Sequence, residues 1–185
     1  MDTRDAVELI AGAFPRRGGT WADLGCGEGV FTRALASLLG PGSRIYALDR
    51  DPGAIAALER WARTEAAPVI PLVADFTRPF ELPDPPEAGL DGMLLANSLH
   101  FVADADSVLA RLAAALVPGG RMVFVEYDRR HPNRWVPYPI PENHLPALVA
   151  SAGLSTPVIT ARRASAFGGT LYVAVAERPA AVAAG

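Results

Sequence analysis

The feature that most constrains the fold of this chain is a regular alternation of short apolar runs with segments of helical periodicity. The apolar runs predict five strands, at residues 20–24, 44–48, 69–74, 91–96 and 121–126. Apolar residues at helical spacing predict helices at residues 2–14, 30–39, from 52 onward, 104–116 and 142–152. This alternation is typical of a parallel, doubly wound α/β sheet with helices on both faces.

Three further segments complete the predicted organisation. Two β segments near residues 156–163 and 170–176 flank Gly168-Gly169, so we expect a closing hairpin that adds one antiparallel strand at the sheet edge. Residues 78–89 contain four prolines and predict an irregular crossover, and the Pro-Gly-Gly at 118–120 is expected to turn the chain into the fifth strand. We expect one domain over residues 1–178 and a flexible tail at 179–185.

Composition narrows the class of protein. Half of the 185 residues are hydrophobic, a fifth are charged, and the net charge is −3, so there is no overall basic field to hold a nucleic acid. The single cysteine cannot form an internal disulfide, and no apolar run reaches the length of a membrane span. The N-terminus carries acids and lacks the layout of a signal peptide. We therefore expect a soluble cytoplasmic protein with no membrane partner.

Residues 21–32, WADLGCGEGVFT, place Gly25, Gly27 and Gly29 between a predicted strand and a predicted helix. Such glycines form either a tight strand-to-helix turn or a loop that lets a ligand approach backbone N–H groups at the helix N-terminus. The spacing G-x-G-x-G, with Val30 after it, differs from the G-x-G-x-x-G of dinucleotide sites. Asp23 would repel a pyrophosphate and attract an amino group or a sulfonium, which weakens the dinucleotide interpretation.

Further acids follow the next predicted strands, at the sheet edge where ligands of such folds bind. Asp49 lies about twenty residues after the glycines, the distance at which an acid holds a ribose diol, although a helix-capping or loop role is the alternative. Asp75 is suited to accept from an adenine amino group, with Phe76 as an apolar surface; the alternative is a turn acid before Thr77. Asp51 is expected to cap the helix that begins at Pro52.

The stretches DLGCGEG, LDRDPGAI, VADF, LANSLHFV and LVPGGRMVFVE occur in this order between residues 20 and 126. Together they resemble the class I S-adenosylmethionine-dependent methyltransferases. The resemblance implies a seven-stranded sheet in the order 3-2-1-4-5-7-6 with the seventh strand antiparallel, and S-adenosyl-L-methionine as the cofactor. The proline-rich residues 78–89 depart from the helix that this family often has there, and Asn97-Ser98 is not the Asn-Pro-Pro-aromatic signature of its nucleic-acid-methylating members.

The resemblance also assigns cofactor-binding roles to residues that follow four strands. Asp23 and the glycine loop would hold the methionine part, Asp49 the ribose, Arg50 and Asp75-Phe76 the adenine, and Asn97-Ser98 the region of the transferred methyl. The complete set is Asp23, Gly25, Cys26, Gly27, Gly29, Asp49, Arg50, Asp75, Phe76, Asn97 and Ser98.

Candidate acceptor-site residues lie after the fourth and fifth predicted strands. His100 is the best-placed general base, and a packing role is the alternative. Residues 129–141 are rich in proline and aromatics, and Tyr127, His131, Trp135 and Tyr138 are the candidate substrate contacts. The alternatives for this segment are a grip on an anion by Arg129, Arg130 and Arg134, or a stiff surface loop. His144 is expected inside a helix at the surface, and no metal-binding constellation is predicted.

Three functions fit these features. A methyltransferase for a small molecule is favoured by the acidity of the chain and by its aromatic residues 127–138. A methyltransferase for RNA or protein would use the arginines of the same segment, and a non-catalytic module would keep the fold as a scaffold. The pocket would be closed by the N-terminal helix or by a homodimer.

Overall fold

The strands and helices follow the alternation in the sequence closely. The computed structural model describes residues 1–129, 131–165 and 169–180. The strands are β1 (Gly19–Leu24), β2 (Ser43–Asp49), β3 (Val69–Val73), β4 (Leu90–Ala96), β5 (Leu116–Asp128), β6 (Val158–Ala164) and β7 (Thr170–Glu177). The α-helices are α1 (Thr3–Ile10), α2 (Val30–Leu39), α3 (Pro52–Thr64), α4 (Ala105–Ala114) and α5 (Leu145–Ser151). Two 3₁₀ turns cover Ala11–Ala13 and Leu99–Phe101.

The strands form one seven-stranded sheet in the order β3-β2-β1-β4-β5-β7-β6. β7 is antiparallel to both of its neighbours, and the other pairings are parallel. The doubly wound sheet and the strand order are confirmed. The hairpin of β6 and β7 lies at the sheet edge, and the antiparallel strand β7 lies between β5 and β6, as the order implied by the resemblance has it, and not at the outermost position.

The two faces of the sheet carry separate apolar layers. Tyr46, Leu95 and Phe124 belong to the layer covered by α4 and α5, and their neighbours Ile45 and Leu94 belong to the layer covered by α1, α2 and α3. Because side chains alternate along a strand and both faces are covered, the central strands appear in the sequence as continuous apolar runs.

Aspartates cap the helices that lead away from the strand ends. The Asp51 carboxylate accepts from the backbone N–H groups of Gly53 and Ala54, with Pro52 in the first turn, as expected. Asp104 caps α4 by accepting from the Ser107 N–H. These caps set the start of each helix next to the strand end that precedes it.

The structure corrects several predicted boundaries. α1 is shorter than predicted and ends in a 3₁₀ turn, and α5 begins at Leu145, with His144 at its N-cap and exposed. The Pro-Gly-Gly at 118–120 lies inside β5 and not before it, because Gly119 and Gly120 exchange backbone hydrogen bonds with Arg178. Residues 78–89 are irregular as expected, and the Tyr46 hydroxyl donates to the Pro83 and Asp84 carbonyls there.

Some predicted features lie partly outside the described residues. Gly168 of the predicted hairpin, Arg130 of the arginine group and residues 181–185 of the predicted tail are among them. Within the described ranges, no helix combines the length and apolar character that a membrane crossing needs. The cytoplasmic location and the homodimer stay predictions.

Candidate active site

The predicted ligand-binding residues meet at the carboxyl ends of the parallel strands. A cleft of about 620 Å³, the strand-end cleft, runs along the ends of β1 to β4. Seven of the eleven predicted cofactor residues line it, namely Gly25, Asp49, Arg50, Asp75, Phe76, Asn97 and Ser98. Asp23, Cys26, Gly27 and Gly29 are not part of its lining. α1 packs against α2 and β6 and lines neither this cleft nor the cavity described below, so the expected closure by this helix was wrong.

The structure gives different reasons for glycine at the three positions of the loop. A Cβ on Gly25 would lie 2.6 Å from the Ser98 Cβ, and one on Gly29 would overlap the Leu58 side chain, so these two permit close packing within the protein. Gly27 has open space where its Cβ would be. The N–H groups of Gly25, Cys26 and Gly27 already donate to the Leu48 carbonyl and to Asp49. The loop is thus a tight turn whose backbone N–H groups serve the fold, and its open side is at Gly27.

Asp23 is a buried carboxylate at the end of β1, only 1% exposed. Its Oδ2 accepts from the Thr32 hydroxyl at 2.6 Å, and its Oδ1 has no hydrogen-bond partner. The pKa of Asp23 is raised to about 7, mainly by burial and to a smaller extent by the charge of Asp49, while the Thr32 hydrogen bond opposes the shift. An enclosed carboxylate oxygen without a donor is costly, so this position suits a donor supplied by a ligand.

Asp49 braces the glycine loop from the end of β2. Its Oδ2 accepts from the Gly27 N–H at 2.7 Å, and its Oδ1 accepts from the Asp51 N–H at 2.9 Å. Each carboxylate oxygen has lone pairs for more than one donor, so the side chain can hold the loop and still accept from two hydroxyls in the strand-end cleft.

Asp75 forms a turn at the end of β3. Its Oδ1 accepts from the Thr77 N–H at 2.9 Å and from the Thr77 hydroxyl at 2.6 Å. The hydrogen bond from the Thr77 hydroxyl is the main cause that lowers the pKa of Asp75. The structure therefore shows the role of Asp75 as a turn acid. Asp75 also lines the strand-end cleft, and its contact with an adenine stays a prediction.

Asn97 and Ser98 follow β4 beside the glycine loop. Asn97 adopts a left-handed backbone conformation with φ of 55°, which is uncommon for a residue other than glycine. The Asn97 Oδ1 and the Ser98 Oγ are buried without hydrogen-bond partners. With the Asp23 Oδ1 they account for three of the five such atoms in the described residues, so unmet polar groups concentrate at this end of the cleft.

A second space, the aromatic cavity, adjoins the strand-end cleft. It measures about 570 Å³ and shares Asn97 and Phe101 with the cleft. Its other lining residues are His100, Tyr127, Arg129, Asn133, Trp135 and Val136. The structure therefore brings together three of the predicted acceptor-site residues here, His100, Tyr127 and Trp135.

The other two predicted substrate contacts lie away from the aromatic cavity. His131 is exposed and is not in its lining, and Tyr138 is exposed and contributes only a backbone N–H to the His100 carbonyl. Arg134 stacks on Trp135, with its guanidinium carbon 4.3 Å from the ring centroid. Cys26 is buried, and burial raises the pKa of its thiol, so it is not a reactive group at neutral pH.

Two residues near the site were not anticipated. Glu126, near the end of β5, is fully buried and accepts from His100; an acid directly after the apolar run at residues 122–125 was the signal available in the sequence. Arg111 of α4 lines the strand-end cleft and donates to the Phe76 carbonyl at 2.7 Å. In the part of the chain that the structure describes, no cluster of His, Cys, Asp or Glu has the make-up of a metal site.

Comparison with known proteins places the chain in a family. A family described as "Methyltransferase domain" matches residues 22–122, more than half of the chain. The chain is 35% identical over 130 residues to a trans-aconitate 2-methyltransferase of Paracidovorax citrulli, a match that covers 69% of this chain and 46% of that protein. It is 38% identical over 96 residues to a ribosomal RNA small subunit methyltransferase H of Acidobacterium capsulatum, covering 46% and 32% respectively. The matches thus span less than half of the length of these curated relatives.

A solved structure supports the same placement. The 1,6-didemethyltoxoflavin-N1-methyltransferase of Burkholderia thailandensis, with bound 1,6-didemethyltoxoflavin and S-adenosylhomocysteine, is 26% identical, with a TM-score of 0.71. The alignment covers 96% of this chain and 78% of that one. With the strand order and the strand-end residues described above, these findings show that the chain belongs to the class I S-adenosylmethionine-dependent methyltransferases.

Proposed function

We propose that this domain binds S-adenosylmethionine in the strand-end cleft and methylates a small molecule held in the aromatic cavity. The observation that carries the proposal is the junction of the two spaces at Asn97 and Phe101. A ligand in the cleft and a ligand in the cavity would meet at these two residues. Methyl transfer needs such a meeting, because most of the catalytic task is to align the acceptor with the methyl group.

The residues of the cleft suit the separate parts of the cofactor. Asp49 would accept from the ribose hydroxyls, and Phe76 would lie against the adenine with Asp75 and Arg50 beside it. The unpartnered oxygen of Asp23 would receive the ammonium group of the methionine end, near Asn97 and Ser98. When bound, the cofactor supplies a methyl group that is already activated by the sulfonium, so the chain itself has to bind, orient and exclude water.

Several observations favour a small acceptor. The lining of the aromatic cavity is mainly apolar and aromatic, which is the usual character of a small-molecule site. The net charge of −3 gives the chain no overall basic field to attract a nucleic acid. Two of the relatives described above are named for small molecules, trans-aconitate and a toxoflavin precursor.

An RNA acceptor is the second candidate. Arg129 lines the aromatic cavity and Arg134 lies close by on Trp135, and part of the chain is similar to a ribosomal RNA methyltransferase. The two candidates separate in one assay that follows S-adenosylhomocysteine formation with a small-metabolite mixture and, separately, with total ribosomal RNA. Turnover with the metabolites alone supports the proposal, and turnover with RNA alone contradicts it.

Calorimetry with S-adenosylhomocysteine tests the cofactor site. We expect a micromolar dissociation constant for the wild type. Asp49→Ala removes charge-assisted hydrogen bonds to the ribose and the brace on Gly27, so we expect affinity to fall by about a hundredfold. Glu87→Ala removes an exposed carboxylate from the proline-rich residues 78–89 and is the control. Absence of binding to the wild type would overturn the proposal, and unchanged binding to Asp49→Ala would overturn the role of Asp49.

A further inference from the structure

Building on the proposed function, we propose that Glu126 is a positioning residue that makes His100 the general base of the aromatic cavity. The acceptor is then an aromatic molecule whose reacting oxygen or nitrogen carries a proton, such as a phenol. A carboxylate acceptor would need no base, because it has no proton to lose at neutral pH. The pair thus narrows the substrate class beyond what the cavity alone indicates.

The geometry of the pair is specific. The Nδ1 of His100 lies 2.6 Å from the Glu126 Oε2, and the His100 backbone N–H donates to the Glu126 Oε1 at 3.2 Å. Both carboxylate oxygens are therefore occupied by one residue, and the two side chains are almost fully buried. A carboxylate can only accept, so it selects the imidazole tautomer with the proton on Nδ1.

The other ring nitrogen is left with a lone pair. Within the described residues no hydrogen bond is seen at the His100 Nε2, and this atom is not among the enclosed polar atoms without partners. The space that His100 lines is the aromatic cavity, and under the proposal the free Nε2 lone pair is directed toward a molecule held there. The carboxylate also stabilises the imidazolium that forms when Nε2 takes a proton.

The groups that face the pair do not compete for this role. Tyr127 on β5 lies with its ring centroid 6.0 Å from that of His100, and burial raises the pKa of Tyr127. Tyr172 on β7 pairs with Glu126 in the sheet, and burial raises the pKa of Tyr172 as well. Arg129 is the charged residue of the described cavity lining and would attract an acceptor as it becomes anionic. Among these described residues, His100 is the group whose neutral side chain offers a nitrogen lone pair to a proton.

The step balances without a further reactant. The proton moves from the acceptor O–H or N–H to the His100 Nε2, and the acceptor forms its new bond to the methyl carbon. The bond between that carbon and the sulfonium sulfur breaks, and its electron pair stays on sulfur. Nε2 then releases the proton to water, so one proton appears for each methyl group transferred.

Nitrogen NMR of isotope-labelled histidine tests the tautomer without turnover. His100→Gln assigns the signal among the three histidines. At about pH 8 we expect the His100 signals of Nδ1–H and an unprotonated Nε2, and we expect Glu126→Gln to lose this preference. A wild-type Nε2–H tautomer, or an unchanged spectrum in a folded Glu126→Gln, would overturn the proposal. S-adenosylhomocysteine binding is measured on the same samples, so that failure of the cofactor site is recognised separately.

A binding pair tests the acceptor class and remains decisive if Glu126→Gln does not fold. The probes are 2-naphthol and 2-methoxynaphthalene, measured by calorimetry with S-adenosylhomocysteine present. We expect the wild type to bind 2-naphthol about tenfold more tightly, the effect of one hydrogen bond to a buried group. His100→Phe, which offers no hydrogen-bond acceptor, should abolish the difference in affinity between the two probes. Equal affinity of the wild type for the two probes would contradict the proposed role of Nε2.

Discussion

One buried acid lies near the end of β1 and another near the end of β5, and the two differ in their hydrogen-bond partners. Asp23 at the end of β1 has a carboxylate oxygen with no partner and a pKa raised to about 7 by burial. Glu126 at the end of β5 has both oxygens engaged by His100. In the free protein the Asp23 carboxylate therefore lacks one hydrogen-bond donor, whereas both oxygens of Glu126 have a partner. Under the proposed function Asp23 would serve a ligand, whereas Glu126 already serves another side chain.

Removal of Glu126 should have the largest effect on stability. Glu126→Ala leaves two buried donors of His100, the ring Nδ1–H and the backbone N–H, without an acceptor, and at about 1–3 kcal/mol for each such group the cost is about 2–6 kcal/mol. We expect urea unfolding to show a loss of this order, and at about 2–4 °C per kcal/mol for a chain of this length the melting temperature should fall by about 4–24 °C. A loss below about 1 kcal/mol would mean that the pair is not a completed interaction, and Glu87→Ala is again the surface control.

Asp23→Asn should change stability in the opposite direction and weaken the cofactor. The folded-state pKa of Asp23 is raised, so the contribution of this group to the free energy of unfolding is fully present below about pH 4 and is lost as the pH rises through about 7. The amide has no charge to bury, so at pH 8 we expect the variant without cofactor to be at least as stable as the wild type by urea unfolding. We expect S-adenosylhomocysteine affinity to fall by about tenfold or more. A less stable variant with unchanged affinity would contradict the proposal that Asp23, unlike Glu126, serves a ligand.

The same shift predicts a pH dependence of cofactor binding. With a pKa of about 7, Asp23 is mostly protonated at pH 6 in the free protein, and an ammonium group beside it would ionise it. We expect about one proton to be released on binding at pH 6, and about tenfold weaker binding at pH 6 than at pH 8. Calorimetry in buffers of different ionisation enthalpy measures the released proton, and Asp23→Asn should abolish it. A pH-independent affinity in the wild type would contradict contact between Asp23 and the ammonium group.

The smallest effect on stability is expected on the outer wall of the aromatic cavity. Trp135 is 65% exposed, so Trp135→Ala should change the free energy of unfolding by no more than about 0.5 kcal/mol. We expect the same variant to weaken 2-naphthol binding, because the indole forms part of the lining. Val73→Ala, at another exposed apolar side chain outside the lining, is the control and should leave the affinity unchanged.

The two ends also differ in how far they could be predicted. The strand-end cleft was predictable in large part because the seven predicted residues that line it lie at or just after strand ends, and parallel strands bring their carboxyl ends to one edge. The aromatic cavity was predicted only in part, since residues 129–141 have no regular periodicity that orients their side chains. His131, Trp135 and Tyr138 were therefore predicted from residue type alone, and of these three only Trp135 lines the cavity.

The sequence by itself determined the alternation of strands and helices, the sheet that follows from it and the acids at its carboxyl edge, because periodicity and turn residues are local properties of the chain. Only the tertiary structure decided that one oxygen of Asp23 is buried without a hydrogen-bond partner and that Glu126 is paired with His100. His100 and Glu126 are separated by 26 positions and meet because β4 and β5 are neighbours in the sheet. Gly25 and Gly29 are small to fit Ser98 and Leu58, which pack against them from distant segments. Burial and partnership depend on these long-range contacts, and the spacing of residues along the chain does not contain them.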